Sequence, residues 1–152
     1  MTDLALVWNQ DAWGADLALL GFDLATDEGL NTAVTISWFT DRRAPADAQL
    51  DTAGDNPPDP RGWWGDAFAA VDNDQIGSLF WLLQRSKELP PTLRQYEEYG
   101  RQALQWLIDD GGARAVAVSG TDLGEGWLQL SAAITKPDGK VHTFDKIWKA
   151  LR

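Results

Sequence analysis

The residue types that could carry acid–base chemistry in this chain of 152 residues are few and scattered. His142 is the single histidine, and it lies in a predicted strand with no nucleophile-elbow sequence elsewhere to complete a triad. Asp66 with Glu97 or Glu98 would supply the two carboxylates of a glycosidase, but no spacing supports such a pair. The sequence therefore predicts no catalytic residue and a protein that is not an enzyme.

Metal and cofactor motifs are also missing from the sequence. The chain has no cysteine, which excludes thiolate ligands and disulfides. The stretch DNDQIG (72–77) faintly matches a calcium loop, but Ile76 and Leu83 stand where oxygen ligands are required. The glycines of GTDLGEG (120–126) have neither a phosphate-binding lysine nor a strand–turn–helix context. We expect neither a cofactor nor a metal.

Composition narrows the classes of partner. A formal net charge of −10 argues against nucleic-acid binding, which needs a basic surface. No apolar run approaches the ~18 residues of a spanning helix, so we expect no membrane insertion. The chain has nine tryptophans, and a surplus beyond the capacity of one core suits a protein that partners cover on several sides.

Two of these tryptophans lie in one loop motif, which comprises Arg61, Gly62, Trp63, Trp64, Gly65 and Asp66. Its glycines let the backbone turn sharply or approach another segment closely, and Arg61 is placed to pair with Asp66 across the turn. We predict that Trp63 or Trp64 packs on the helices at 77–107 as a structural plug. A carbohydrate-binding module that uses both rings is an alternative, although adjacent side chains normally point apart.

The back half of the chain predicts a helix followed by a three-stranded antiparallel meander. Prolines, a Thr92/Gln95 capping box and a closing glycine pair delimit one long helix over 90–112. A shorter helix capped by Ser78 is predicted before it, at 77–87. After the long helix come three segments with strand composition, at 113–120, 126–136 and 140–148.

The front half is less regular. Residues 3–8 and 15–24 alternate loosely between apolar and polar side chains, which indicates short strands or an extended arm. Residues 30–44 alternate like a strand but also carry one helical stripe, and local propensity favours the strand. Residues 44–60 are rich in Ala, Asp and Pro and predict a long surface loop. We expect a single domain over residues 1–152.

Four of these segments together resemble the small baseplate (wedge) protein of Mu-like contractile-tailed phages, a relative of the lysozyme-like small wedge protein of larger contractile tails. They are TAVTISWFTDRRA, RGWWGD, GSLFWLLQRSK and YGRQALQWLIDDG, and DLAL near the start precedes them in the same order. The resemblance covers nearly the whole chain. It implies a helix at 30–41 and a 44–60 loop that runs over partner subunits. The expected fold is then α+β, with N-terminal extended segments and a helix, a long Pro/Asp-rich loop, and short and long helices packed on a three-stranded antiparallel sheet.

The resemblance also implies a function and partners. It implies a structural component of a contractile phage or prophage-derived tail baseplate, made in the host cytoplasm and located in the virion. Such a component binds the larger wedge subunit and helps to initiate the sheath. Other wedge subunits, sheath and tube-proximal proteins would surround it, in multiple copies around a sixfold axis. A muralytic glycoside hydrolase of the tail is the competing function.

Two arginines are implied as partner contacts by the same resemblance. Larger-tail relatives carry Gly-Glu-Arg after the first helix, where this chain has Asp41, Arg42 and Arg43. They carry Glu-Pro-Arg after the long helix, where this chain has residues 112–114. Arg43 and Arg114 are therefore the residues expected to keep the positive charge.

The last predicted strand is a candidate for a further contact. Phe144, Ile147 and Trp148 are costly to expose at an open strand edge, and such edges are either shielded, often by lysine, or paired with another chain. In contractile sheaths, by the family resemblance, neighbouring subunits exchange strands. We therefore expect residues 140–151 to contribute to an inter-subunit contact.

Overall fold

The computed structural model describes residues 3–9, 11, 14–27, 30–48, 50, 58–72, 74–84 and 89–149. The described N-terminal residues form short strands that pair antiparallel, as β1 with β6, β2 with β3, and β4 with β5. These ladders meet where Ala5, Ala18 and Ala25 exchange backbone hydrogen bonds of 2.8 to 2.9 Å. The predicted extended segments are thus confirmed, with the bounds β1 (Asp3–Leu4), β2 (Leu6–Asn9), β3 (Gly14–Leu17), β4 (Leu19–Leu20), β5 (Asp23–Leu24) and β6 (Thr26–Asp27).

A helix, α1, follows at Asn31–Phe39. The helix implied by the family resemblance is confirmed, and the strand favoured by local propensity is wrong. Tertiary packing explains the difference, because Val34 and Trp38 are buried in the core and the Trp38 indole N–H donates to the Gly100 carbonyl at 3.0 Å. The Thr35 hydroxyl donates to the Asn31 carbonyl at 2.7 Å, so a residue that favours strands is satisfied inside the helix.

Between α1 and the back half, the described residues include two 3-10 helices. They span Trp64–Phe68 and Phe80–Leu83, and much of the predicted 44–60 loop before them, residues 49 and 51–57, lies outside the described residues. A helix is predicted at 77–87; of that range residues 85–87 lie outside the described residues, and the described part is helical only over the second 3-10 helix. The Ser78 hydroxyl accepts from the Phe80 N–H at 3.3 Å and donates to the Trp38 carbonyl at 2.6 Å, so Ser78 ties this segment to α1.

The long helix is broken near its C-terminal end. Its main part, α2, spans Leu89–Ala103, and a short α3 follows at Trp106–Asp109. The hydrogen bonding between them changes to the 3-10 pattern, because the backbone N–H groups of residues 104 and 105 donate to carbonyls three residues earlier. Since α2 begins at Leu89, Thr92 lies inside its first turn, and the predicted capping box is wrong.

Three antiparallel strands form the predicted meander, which is confirmed. They are β7 (Ala115–Gly124), β8 (Trp127–Thr135) and β9 (Val141–Lys149), in the order β7-β8-β9. Alternate residues of β8 are fully buried beneath the helices, as the two-residue period of a strand requires. Gly100 lets α2 lie close to the sheet, since a Cβ there would be 2.9 Å from the Leu130 Cδ2 atom.

Four aromatic rings join the helices to the last strand. Trp148 of β9 is 8% exposed. It stacks on Phe80 with ring centroids 5.6 Å apart and meets Phe39 and Tyr96 edge-on at 5.4 and 5.8 Å. Each of these partners comes from a different helix, so Trp148 is a central residue of the core.

Candidate docking site

Polar and cation–π contacts attach the RGWWGD loop to the rest of the protein. The Arg61 Nη1 atom lies 2.6 Å from the Asp41 carboxylate, and its guanidinium carbon lies 4.5 Å from the centroid of the Trp81 ring. The Trp81 indole N–H donates to the Arg42 carbonyl at 2.9 Å, which fixes the ring beneath the arginine. The predicted pairing of Arg61 with Asp66 is wrong, because Asp66 instead accepts from the Ile76 N–H at 3.2 Å.

The backbone of the loop is strained where this attachment is made. Arg61 has a φ of 53° and Gly62 a φ of 104°. A left-handed conformation costs a residue with a side chain about 1–2 kcal/mol, and glycine avoids that cost. The ion pair and the stacking of Arg61 on Trp81 offset the strain and set the direction in which the chain continues into the tryptophan pair.

Both loop tryptophans are exposed. Trp63 is 47% and Trp64 75% exposed, so the predicted structural plug is wrong. The Trp63 ring lies over Gly65, where an added Cβ would overlap the ring. The two indoles are 5.5 Å apart and tilted by 46°, and Trp64 meets Phe68 edge-on at 6.2 Å. The rings form a cluster and not one flat platform.

This cluster lines a groove of about 670 Å³. Ile36 and Ser37 of α1 also line it, together with Trp106 at the start of α3. The Trp106 indole N–H donates to the Ser37 hydroxyl at 3.1 Å, so the orientation of that ring is fixed. Phe68 and Trp106 are 79% and 40% exposed. We call this feature the aromatic groove, defined by Trp63, Trp64, Phe68, Trp106 and Ile36.

Acidic residues surround the aromatic groove. Asp66 and Asp74 line it, and an adjoining cleft that shares Asp74 and Trp106 is also lined by Asp72, Asp109 and Asp110. Solvent-exposed apolar rings next to carboxylates are suited to a ligand with apolar and cationic parts.

The two arginines of the adjoining cleft, Arg42 and Arg101, have partners within the chain. The Arg42 Nε–H donates to the Gln75 side chain at 3.2 Å, and Arg101 forms an ion pair with Glu98 at 2.7 Å. The hydrogen bond from Arg101 lowers the pKa of the Glu98 carboxylate. Five aspartates outnumber these two arginines along the groove and the cleft, so the lining carries an excess of negative charge.

The residues considered for catalysis are not brought together. His142 is half-buried on β9 opposite Ile134. Glu97 accepts from the Gly120 N–H of β7 at 2.8 Å and does not line the aromatic groove that contains Asp66. Within the described ranges, no three His, Cys, Asp or Glu residues are grouped to hold a metal ion, and no helix has the length and apolar composition to cross a membrane.

The two arginines implied as partner contacts lie on different parts of the molecule. Arg43 is exposed and packs beside the loop motif, since a Cβ on Gly62 would be 2.8 Å from the Arg43 Cβ. Arg114 is exposed immediately before β7, and its backbone N–H donates to the Thr135 carbonyl at 2.7 Å. Both guanidinium groups are therefore on segments that a partner can reach.

The three apolar residues expected to contact a partner through the last strand have different environments. Trp148 is in the core, so the expectation that its ring meets a partner is wrong. Phe144 is half-buried and packs against the same core. Ile147 lies on the opposite face of β9, and its carbonyl accepts from the Trp8 indole N–H at 3.2 Å.

Sequence reasoning missed three residues that define the aromatic groove, Ile36, Phe68 and Trp106. Phe68 follows the loop motif by two positions, and a continued apolar pattern after Asp66 was the available signal. Trp106 lies off the apolar face of the long helix, and a tryptophan on a polar helix face is itself a sign of a binding surface. The spatial meeting of the three residues depends on long-range packing and had no local signal.

Comparisons of the sequence with known proteins show its family. A family model described as "Phage protein GP46" matches residues 30–141. The chain is 44% identical to "Baseplate protein gp46" of Escherichia phage Mu over 145 residues, which cover 95% of this chain and 94% of that protein. It is 38% identical to "Mu-like prophage FluMu protein gp46" of Haemophilus influenzae over 150 residues, 97% of this chain and 98% of the relative. The chain therefore belongs to the phage protein GP46 family, which includes the Mu baseplate protein.

Proposed function

We propose that this chain is a non-enzymatic structural subunit of a contractile phage or prophage-derived tail baseplate. The observation that carries the proposal is 44% identity to the Mu baseplate protein over 95% of the chain. In that role it binds the larger wedge subunit and helps to initiate the sheath. Several copies surround the sixfold tail axis in the virion, next to other wedge subunits, sheath and tube-proximal proteins.

The free edge of β9 supports a role in sheath initiation. β9 pairs with β8 on one side only among the described strands. The Ile147 carbonyl accepts from Trp8, so it points away from β8. Because N–H and C=O groups alternate direction along a strand, the backbone groups of Thr143 and Asp145 also point outward. A strand from a neighbouring subunit can add to this edge.

The opposite edge of the sheet is partly shielded within the chain. The Gly120 N–H on β7 donates to the Glu97 carboxylate of α2, which occupies one outward donor. Carboxylates and helices that cover an edge prevent unwanted strand pairing. Each edge thus has one outward backbone group occupied within the chain, the Gly120 N–H on β7 and the Ile147 carbonyl on β9, and we assign strand addition to the part of β9 around Thr143 and Asp145.

Disruption of the gene in the genome that encodes it tests the structural role. We expect cells without the protein to release no complete sheathed tails, and wild-type protein supplied in trans to restore them. Electron microscopy of the released particles gives the result. Complete sheathed tails in the absence of the protein would overturn the proposal.

Proline at position 143 tests the strand edge separately. Thr143→Pro removes an outward N–H without breaking the β8–β9 ladder, and proline is tolerated on edge strands. We expect the variant to fold but not to restore sheathed tails, whereas Thr143→Ala, which keeps the N–H, restores them. A truncation that removes residue 146 and all later residues would not test the edge alone, because it also removes Trp148 from the core. Sheathed tails with a folded Thr143→Pro variant would exclude β9 as the docking edge while leaving the baseplate role intact.

The non-enzymatic part of the proposal has its own assay. Asp66 and Glu97 each accept a backbone N–H and serve local structure. We expect purified protein to clear no peptidoglycan. Reproducible clearing that Asp66→Asn or Glu97→Gln abolishes would establish the competing muralytic function.

A further inference from the structure

We propose that the aromatic groove receives a segment of a different tail protein, one that carries large apolar side chains next to lysine or arginine. The proposal deepens the baseplate function and rests on it. The proposed surface includes no residue of β9, and it consists of side chains and not of backbone groups. Four exposed aromatic rings in one place are unusual on a protein that functions alone.

The loop is built to present these rings. Arg61 accepts a left-handed backbone and is held by Asp41 and Trp81. Gly65 has no side chain where the Trp63 ring lies, and Ser37 orients Trp106. Rings that are fixed before binding lose little entropy on binding, and tryptophans in such positions commonly dominate the energy of an interface.

The charge around the groove selects the occupant. The groove and the adjoining cleft are lined by five aspartates, Asp66, Asp72, Asp74, Asp109 and Asp110, against two arginines, Arg42 and Arg101. A basic segment complements this rim. A second copy of this chain does not, because its net charge is also −10 and like charges facing each other across an interface are unfavourable.

The shape of the groove argues against a sugar as the main occupant. A sugar stacks the C–H groups of one face on an aromatic ring, and a platform of two coplanar rings would extend that contact, whereas the two loop indoles are tilted by 46°. The groove volume of about 670 Å³ is instead enough for several apolar side chains of a peptide segment. An amphipathic helix or an extended segment can place such side chains between the rings.

Photo-crosslinking in assembled tails tests the proposal with the full chain. p-Benzoylphenylalanine is incorporated at position 64, the particles are purified and irradiated, and the crosslinked peptide is sequenced by mass spectrometry. We expect a peptide of another tail protein with apolar residues flanked by lysine or arginine. The same probe at Leu123, which is 48% exposed on β7, should not yield that peptide. No crosslink at position 64, a crosslink to a second copy, or an acidic peptide would overturn the proposal.

A synthetic copy of the crosslinked peptide then measures the contribution of the groove. Calorimetry should show affinity that falls with added salt and that drops about tenfold or more in Trp64→Ala. Gly65→Ala keeps every ring but displaces Trp63, so it should weaken binding, whereas Gly112→Ala, where a Cβ meets only ordinary contacts of 3.4 Å or more, should not. Equal affinity in all variants, or binding of peptidoglycan fragments that Trp64→Ala abolishes, would contradict the inference. If the gene is required for tails but position 64 contacts no such peptide, the groove proposal fails and the baseplate role stands.

Discussion

Two tryptophan-to-alanine substitutions separate the core of this protein from its binding surface. Trp148 is 8% exposed and Trp64 is 75% exposed. A tryptophan side chain offers about 150–250 Å² for burial, so Trp64 covers only about a quarter of that, ~40–60 Å². At ~25 cal/mol per Å² this corresponds to about 1–1.5 kcal/mol. Trp148→Ala should instead cost about 3–5 kcal/mol, the usual range for a buried tryptophan.

The comparison is made by urea and thermal unfolding followed by far-UV circular dichroism. For a chain of this size, ~2–4 °C per kcal/mol predicts that Trp148→Ala melts about 6–20 °C below wild type. Trp64→Ala, as the matched control with the same chemical change, should melt within about 6 °C of wild type. Equal destabilisation by the two substitutions would refute the assignment of Trp64 to the surface. If Trp148→Ala melts at the same temperature as wild type, the assignment of Trp148 to the core is refuted, and the residue is again a candidate for a partner contact.

Further outcomes follow from the backbone and from one buried hydroxyl. Both Arg61→Gly and Arg61→Ala lose the ion pair, but the glycine variant should be about 1 kcal/mol more stable in urea unfolding because it relieves the left-handed strain; equal stability would show that the strain is absent. Gly77→Ala should destabilise by more than about 2 kcal/mol, because Gly77 has a φ of 101° and a Cβ there would overlap the Thr40 carbonyl; wild-type melting would contradict this. Burial raises the pKa of the Tyr96 phenol above its usual ~10, so the unfolded chain loses this proton first and stability should fall as pH rises above about 10. Tyr96→Phe should make that fall shallower in unfolding measured between pH 8 and 11, and an unchanged slope would argue against the burial.

The back half of the fold was predictable because its signals are local. Polar and apolar residues alternate in the three last strands, and the turn at 137–139 joins two of them. The long helix carries its apolar face at helical spacing, and Tyr96, Leu104 and Leu107 are indeed buried. These patterns depend on neighbours in sequence, so composition and periodicity were enough.

The segments that were misjudged depend on distant partners. Helix α1 has strand propensity, and it is a helix because Trp38 reaches Gly100 and packs in the core. The loop tryptophans are of a residue type common in cores, and their placement depends on Arg61, which is held by Asp41 and Trp81. Asp41 lies 20 residues earlier in the chain than Arg61. The periodicity of a sequence does not reveal contacts between residues that are far apart in the chain. For the same reason, the pattern of the last strand alone does not show that Trp148 faces the core.

The location of the chain in purified particles tests the baseplate assignment most directly. A short epitope tag fused to the chain, in a variant that still supports sheathed tails, can be labelled with gold-conjugated antibody and viewed by electron microscopy. The account predicts label at the baseplate end of the tail, in a fixed number per particle. Label that is absent from the particles, or distributed along the tail tube, would contradict it.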